Sequence, residues 1–473
     1  MATRVRKDVW KLSKIKPWHD DILWYAKAIV EMQKRPARDS TSWIYQAAIH
    51  ETSQSPNPHP TFWTQCQHFS WFFLPWHRIY LFLFEQIIAD WIASQPGGPK
   101  DWSLFYWNYS DSSNADATKL PPAFIDPVLP LPGSPPNPLR VTNRARGNDG
   151  NSVTSRSNQV SLGCLREPDF FHTSLGATSF GGPETGFNHD NGSAGMGHLD
   201  STPHGAIHNA IGGGMGAFDT AGLDPIFWVH HSNIDRLWNV WLKRDAGHQN
   251  PTDPRWLNLK FKFHNASKKI VKMSSSEVVD STTSPLNYEY QDESDPIAGR
   301  AGITPPRRPA MATKSTPEMV GSTHPNPVTL RGKAESAKLA VKAPTGPGRL
   351  TLPAGAPPPL VLNLENVRGP QHSTGYGVYV NLPPDSKPDN HPELFAGNMS
   401  LFGLKEASRA KGEHAGSGLH YSYDISGIVQ KLQEKGDWDP ENVRVTFVPD
   451  YELEGRASAG EGVQVGRISV YHK

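Results

Sequence analysis

Two cysteines in 473 residues are too few for a disulfide framework, and their scarcity fits a reducing compartment. Excess charge of one sign is also lacking: Lys plus Arg number 47 against 46 Asp plus Glu, which argues against a nucleic-acid partner. The opening residues MATRVRKDVWKLS scatter charges and hold no apolar run. Neither a secretory signal nor a membrane-spanning helix is therefore expected there, and a cytoplasmic location is the default expectation. No internal repeat is evident. Aromatic residues are plentiful: 15 Trp and 19 Phe, concentrated in the first 245 positions, fit a soluble enzyme of more than one domain.

Six histidines in two groups carry the chemistry: His50, His68 and His77, then His204, His208 and His231. Imidazole suits copper, and three neutral nitrogens per ion hold a metal while leaving positions open for oxygen. In PHGAIHN the residues His204 and His208 are four apart, which on a helix puts both rings on one face about one turn apart. Such a pair also arises by chance. The context adds weight, because His231 lies in DPIFWVHHSNIDRLWNVW, where Asp224 and Pro225 read as a helix start and Phe227, Trp228, Leu237, Trp238 and Trp241 as its buried face. His68 and His77 bracket HFSWFFLPWHRIYLFLFE, in which Pro75 breaks an aromatic run and a long apolar helix is expected from near His77 to about Ser94. His59, His172, His189 and His198 read as ordinary hydrogen-bonded residues. A zinc hydrolase built on H-x-x-x-H is disfavoured, since Gly205 stands where its glutamate is needed.

The chain divides by texture. Residues 1–295 are helical where the histidines lie, with long Pro/Gly/Ser/Asn stretches at 110–160 and 173–203. Residues 296–348 are rich in Pro, Lys, Thr and Ser and read as an extended linker. From 349 to 473, the runs LVLNLENV, GYGVYVNLP, VRVTFVPDY and VGRISVYHK, spaced by turn residues, predict a β-sandwich.

The string from His68 through Phe73, His77, Arg78 and Leu81 to Glu85 resembles the first copper signature of the tyrosinase and polyphenol oxidase family. Asp224 to Asp235 resembles the second. SWIYQAAIH around His50 and LFYWNY at Leu104–Tyr109 extend the likeness, and for the first ligand position His50 is preferred to His59 of the Pro-rich NPHP. The resemblance implies an α+β multidomain protein: a mainly α-helical copper domain built round a four-helix bundle, plus the C-terminal β-sandwich. It implies two copper ions, held by His50, His68, His77, His204, His208 and His231. It also implies a thioether from Cys66, two residues before His68, whereas Cys164 reads as a free thiol. Tyr288-Glu289-Tyr290 is similar to the element that closes this domain in relatives, with Arg6 the expected partner. The C-terminal region resembles the domain that keeps plant polyphenol oxidases latent; a plain structural or oligomerisation module is the other reading.

The implied reaction takes two electrons from an ortho-diphenol and passes them to oxygen, giving an ortho-quinone. Hydroxylating a monophenol also requires removing a proton whose ordinary pKa is near 10. In family members that do this well, a glutamate and an asparagine beside the first histidine of the second group hold a water; this chain has Asp200 and Gly205 there. Asp200 is one methylene short and Gly205 has no side chain, which points to diphenol oxidation with weak hydroxylation. Phe218 matches the bulky gate of plant catechol oxidases and nudges the same way, while Asn209 is a further candidate beside His208. His230 is expected to point away from the metal, and Asp235, Arg78 and Glu85 to make internal polar contacts. A full tyrosinase or an ortho-aminophenol oxidase would carry the same centre. A haemocyanin-like oxygen carrier is disfavoured by the C-terminal domain.

Overall fold

In the computed structural model, the residues described are 3–52, 61–187, 195–299, 317–342, 360–370, 374–409, 416–451 and 462–472. His59 and His189 lie outside them. The chain forms two compact units, Met1–Gln67 with Phe72–Thr154 and Ala210–Ala298, and His68–Trp71 with Ser155–Asn209 and Gly299–Lys473.

Four helices build the first unit. Asp20–Lys34 buries Ile22, Tyr25, Ala26, Ile29 and Met32, one stripe at three- and four-residue spacing. Trp43–His50 starts on Ser42, whose hydroxyl accepts from the Tyr45 N–H at 3.1 Å. Pro225–Arg244 starts where the sequence placed it: Asp224 accepts from the Ile226 N–H at 3.0 Å and Pro225 takes the first helical position. The fourth helix, Phe73–Ser94, begins a turn earlier than expected. Pro75 stands within its first turn, where a missing N–H leaves no intrahelical bond unmade, so it starts the helix rather than delaying it. This helix packs against Pro225–Arg244 and Asp20–Lys34, and the latter against Trp43–His50. Phe84 stacks on Trp228 between the two longest helices, ring centroids 3.4 Å apart.

A cluster of buried charge ties these helices to the first strand and to the strand Tyr288–Tyr290. The Asp235 carboxylate accepts from Arg78 Nε at 2.5 Å, Arg6 Nη1 at 3.2 Å, Tyr288 OH at 2.5 Å and Tyr290 OH at 2.6 Å. Arg6 also donates to Glu85 at 2.7 Å and to the Tyr290 hydroxyl at 2.8 Å, and lies 3.7 Å over the Tyr288 ring. Arg6 is thus the partner of the Tyr-x-Tyr strand Tyr288–Tyr290, which pairs in parallel with Arg4–Arg6. Arg78, Glu85 and Asp235 make the internal polar contacts expected of them.

The second unit is a β-sandwich with added segments. One sheet runs Leu419–Asp424, Leu360–Arg368, Val463–His472, Glu318–Ser322, with Val328–Leu330 also pairing on Val463–His472. The other runs Phe395–Met399, Tyr376–Val380, Val443–Pro449, Glu335–Leu339. Leu362, Leu364, Tyr421 and Tyr423 share one face of the first sheet. From that face Tyr423 OH donates to the Asn398 carbonyl at 3.0 Å and Tyr421 OH to that of Ser400, joining the sheets.

Two expectations are corrected. The stretch 296–348, expected as linker, carries three strands, because residues 318–339 supply both edge partners that the longer strands need. The boundary at 295 also does not part the chain cleanly: Ser155–Asn209 packs with the sandwich. Arg156 donates to the carbonyls of Val448 and Pro449 and pairs with Asp450, and Asn398 donates to the Asn158 carbonyl at 2.8 Å. Among the described residues no helix is long and apolar enough to cross a membrane.

Burial pushes the Asp235 carboxyl up, but the guanidinium groups of Arg78 and Arg6 and the two tyrosine hydroxyls outweigh it and hold it below the usual aspartate range. Its stabilisation is therefore complete above the unfolded value near 4 and is lost as pH falls through the lower folded value. Asp235→Asn, which leaves the buried Arg78 guanidinium without its carboxylate while Arg6 keeps Glu85, is expected to cost about 3–5 kcal/mol in urea unfolding at neutral pH. Its deficit should shrink on acidification.

Candidate metal centre

The first unit gathers three of the six histidines. His50 ends its helix, His77 sits in the second turn of Phe73–Ser94, and His231 in the second turn of Pro225–Arg244. Their rings converge: His77 and His231 lie nearly parallel with centroids 4.6 Å apart, and His50 is 5.8 Å from His77 and 6.3 Å from His231. All three are buried. Phe218 is buried edge-on to His50 at 5.8 Å, and its carbonyl accepts from His50 Nδ1 at 3.1 Å. The Cys66 N–H donates to the His50 carbonyl at 3.2 Å, with the thiol side chain buried. His230 lies 5.6 Å from the Tyr109 ring, but one of its ring nitrogens stands within 4.8 Å of one of His231, so it does not point clear of the histidines as expected.

The second unit gathers the other three. Ring centroids are 5.4 Å apart for His68 and His204 and 4.7 Å for His204 and His208, all fully buried. The four-residue spacing is realised in an unexpected way. The α-helix begins only at Ala206, and His204 stands in a wider turn over Asp200–Gly205, within which Thr202 is extended. Asp200 closes that turn: its carbonyl and one carboxylate oxygen each lie 3.0 Å from His204 Nδ1, and the other oxygen accepts from the Phe69 N–H at 2.8 Å. Ligand atoms of His68, Asp200 and His204 lie within 4.8 Å of one another.

Whether copper suits these residues can be judged from the imidazoles themselves. A carbonyl oxygen only accepts, so His50 Nδ1 facing Phe218, His77 Nδ1 facing Phe73 at 2.8 Å and His204 Nδ1 facing Asp200 each carry the ring proton. Nε2 is then a lone pair on a ring held by its other nitrogen, the form in which histidine binds a metal. The donor set fits.

Sequence reasoning missed one residue altogether. Phe402, from the C-terminal sandwich, stacks on His208 with centroids 3.8 Å apart and planes 9° apart, and stands edge-on to His68 at 5.8 Å and His204 at 5.6 Å. Ser400, two residues earlier, donates to Asn209 Oδ1 at 2.9 Å. Nothing in LFGL marks the phenylalanine, because its contacts are far away in sequence. Cys164 is a buried thiol that burial pushes above its usual pKa. His172 and His198 are held by Ser179 and Glu167, at 2.7 Å and 3.0 Å.

Residues 40–244 match the family described as the common central domain of tyrosinase, 250–300 the polyphenol oxidase middle domain, and 312–473 a domain of unknown function, DUF7868. Tyrosinase HcTyr1 of Hahella sp. (strain CCB-MM4) is 35% identical, with 99% of each chain covered. The chloroplastic polyphenol oxidase of Vitis vinifera is 27% identical over 94% of this chain and 72% of its own. The fold is shared with latent apple tyrosinase at a TM-score of 0.67 and 23% identity, covering 100% of this chain and 98% of that one. The full-length relative and the matched central domain together place this chain in the tyrosinase and polyphenol oxidase family of enzymes, whose active centre is a pair of copper ions.

Proposed function

We propose that this protein oxidises ortho-diphenols to ortho-quinones with molecular oxygen, hydroxylates monophenols only weakly, and is kept latent by its C-terminal sandwich. His50, His68, His77, His204, His208 and His231 are the copper ligands in this reading. The copper pair supplies the two-electron exchange between the diphenol and oxygen; two diphenols and one oxygen give two quinones and two waters.

The engagement of Asp200 carries the preference for diphenols. Its carboxylate is committed to the Phe69 N–H and to His204 Nδ1. A carboxylate so bound orients a ligand rather than waiting as a base for a phenolic proton, and Gly205 offers no side chain to hold a water beside it. Phe218, packed on His50, adds bulk on that side. Latency rests on Phe402: a planar ring lying flat on His208 takes the space in which a phenol would stack, so substrate and Phe402 exclude each other. Cys66 is proposed to be joined to His68 by a thioether, which would fix that ring.

Oxygen uptake by copper-loaded protein should be low on the intact chain and rise after cutting at a protease site engineered into residues 300–316. The cut enzyme should turn over an ortho-diphenol at least tenfold faster than the matched monophenol. Comparable rates would mean a full tyrosinase, and unchanged uptake after the cut would remove the latency reading. Asp200→Ala should weaken copper binding by roughly 10- to 100-fold, the usual effect of losing a group that orients a metal-binding histidine, as read by chelator competition. The intact mass of copper-loaded protein should be two hydrogens below that of the sequence, and a peptide carrying unmodified Cys66 would rule out the crosslink.

A further inference from the structure

Ser400 and Gly205 meet inside the second unit. A Cβ built on Gly205 would lie 2.5 Å from Ser400 Oγ and 3.0 Å from Ser400 Cβ, with the Asp200 carbonyl at 3.2 Å. Turning the hydroxyl aside is not a free escape. Ser400 Oγ donates to Asn209 Oδ1 at 2.9 Å and accepts from the Phe402 N–H at 3.3 Å, while the Ser400 carbonyl is held by Tyr421 OH. Ser400 is buried, and its backbone leads directly to the ring on His208. The absence of a side chain at 205 therefore has a reason separate from the chemistry of the phenolic proton. The turn that carries His204 must be bare there for Ser400 to approach.

We propose that Gly205 and Ser400 are a matched pair that seats the inhibitory segment. Glycine at 205 makes room for Ser400, the Ser400 hydroxyl occupies the Asn209 acceptor, and together they set the depth at which Phe402 covers the histidines. When the segment leaves, the bond from the Ser400 hydroxyl to Asn209 Oδ1 is broken. This rests on the reading of the C-terminal sandwich as a latency domain, and it makes position 205 a determinant of latency.

The test uses the full-length chain. Gly205→Ala should open the segment without cleavage. In copper-free protein, hydrogen exchange of a peptide spanning residues 398–406 should speed up by roughly tenfold, the shift given by one lost hydrogen bond of ordinary strength. Oxygen uptake by the uncut, copper-loaded variant should rise in step. Ser400→Leu, which enlarges the other partner, should do the same. Gly205→Ala combined with Ser400→Gly removes the clash and should bring exchange back toward that of Ser400→Gly alone. Unchanged protection in both single variants, or a double variant as open as Gly205→Ala, would overturn the pairing. Should cut and uncut wild-type protein turn over equally, the latency reading fails by itself, while the exchange data still report whether the two residues meet.

Discussion

The carboxylate of Asp235 is the constraint on which the helical unit depends. It is buried, and a lone ionised carboxylate at such a place is strongly disfavoured. Two arginines and two tyrosines must therefore come to it, from the first residues, the Phe73–Ser94 helix and the Tyr288–Tyr290 strand. Arg78 follows His77 directly, and Asp235 stands one turn after His231. The ion pair between them fixes the mutual rotation of the two helices whose histidine rings lie parallel at 4.6 Å. Charge balance remote from the metal thus sets geometry at the metal.

Backbone carbonyls do the finer work. In three of the imidazoles the ring proton is held by a main-chain oxygen, so ring direction follows the backbone rather than a mobile side chain. Two of those oxygens lie four residues before their histidine, Phe73 for His77 and Asp200 for His204. The helical turn itself orients the ligand. At His204 the turn is wider than an α-turn, and the Asp200 carboxylate adds a second acceptor.

Much of this was legible because it is local. The Asp224-Pro225 start, the buried stripe that follows it and the strands of the sandwich core all follow from patterns within ten or twenty residues. The arginine partner of the Tyr-x-Tyr element came from family likeness, since nothing near Tyr288 names Arg6. What stayed hidden was tertiary. Residues 318–339 look like linker by composition and become strands because longer neighbours need edge partners. Pro75 looks like a break and is a first-turn residue. Phe402 and Ser400 have ordinary surroundings in the sequence and matter only through residues about 190 positions away.

In the latency proposed above, the stacking of Phe402 on His208 has a consequence for how inhibition would scale. A blocking ring carried on the same chain is an intramolecular competitor, with a fixed effective concentration that dilution does not change, of millimolar order for short flexible connections. Its grip on the site then sets a threshold in phenol supply. Dilute substrate would meet a mostly closed enzyme, because apparent affinity is the intrinsic affinity reduced by the fraction of chains that are open. A high concentration of phenol would displace the ring by mass action alone. Latency of this kind would be a graded response to concentration, and removing the domain would make the open state permanent.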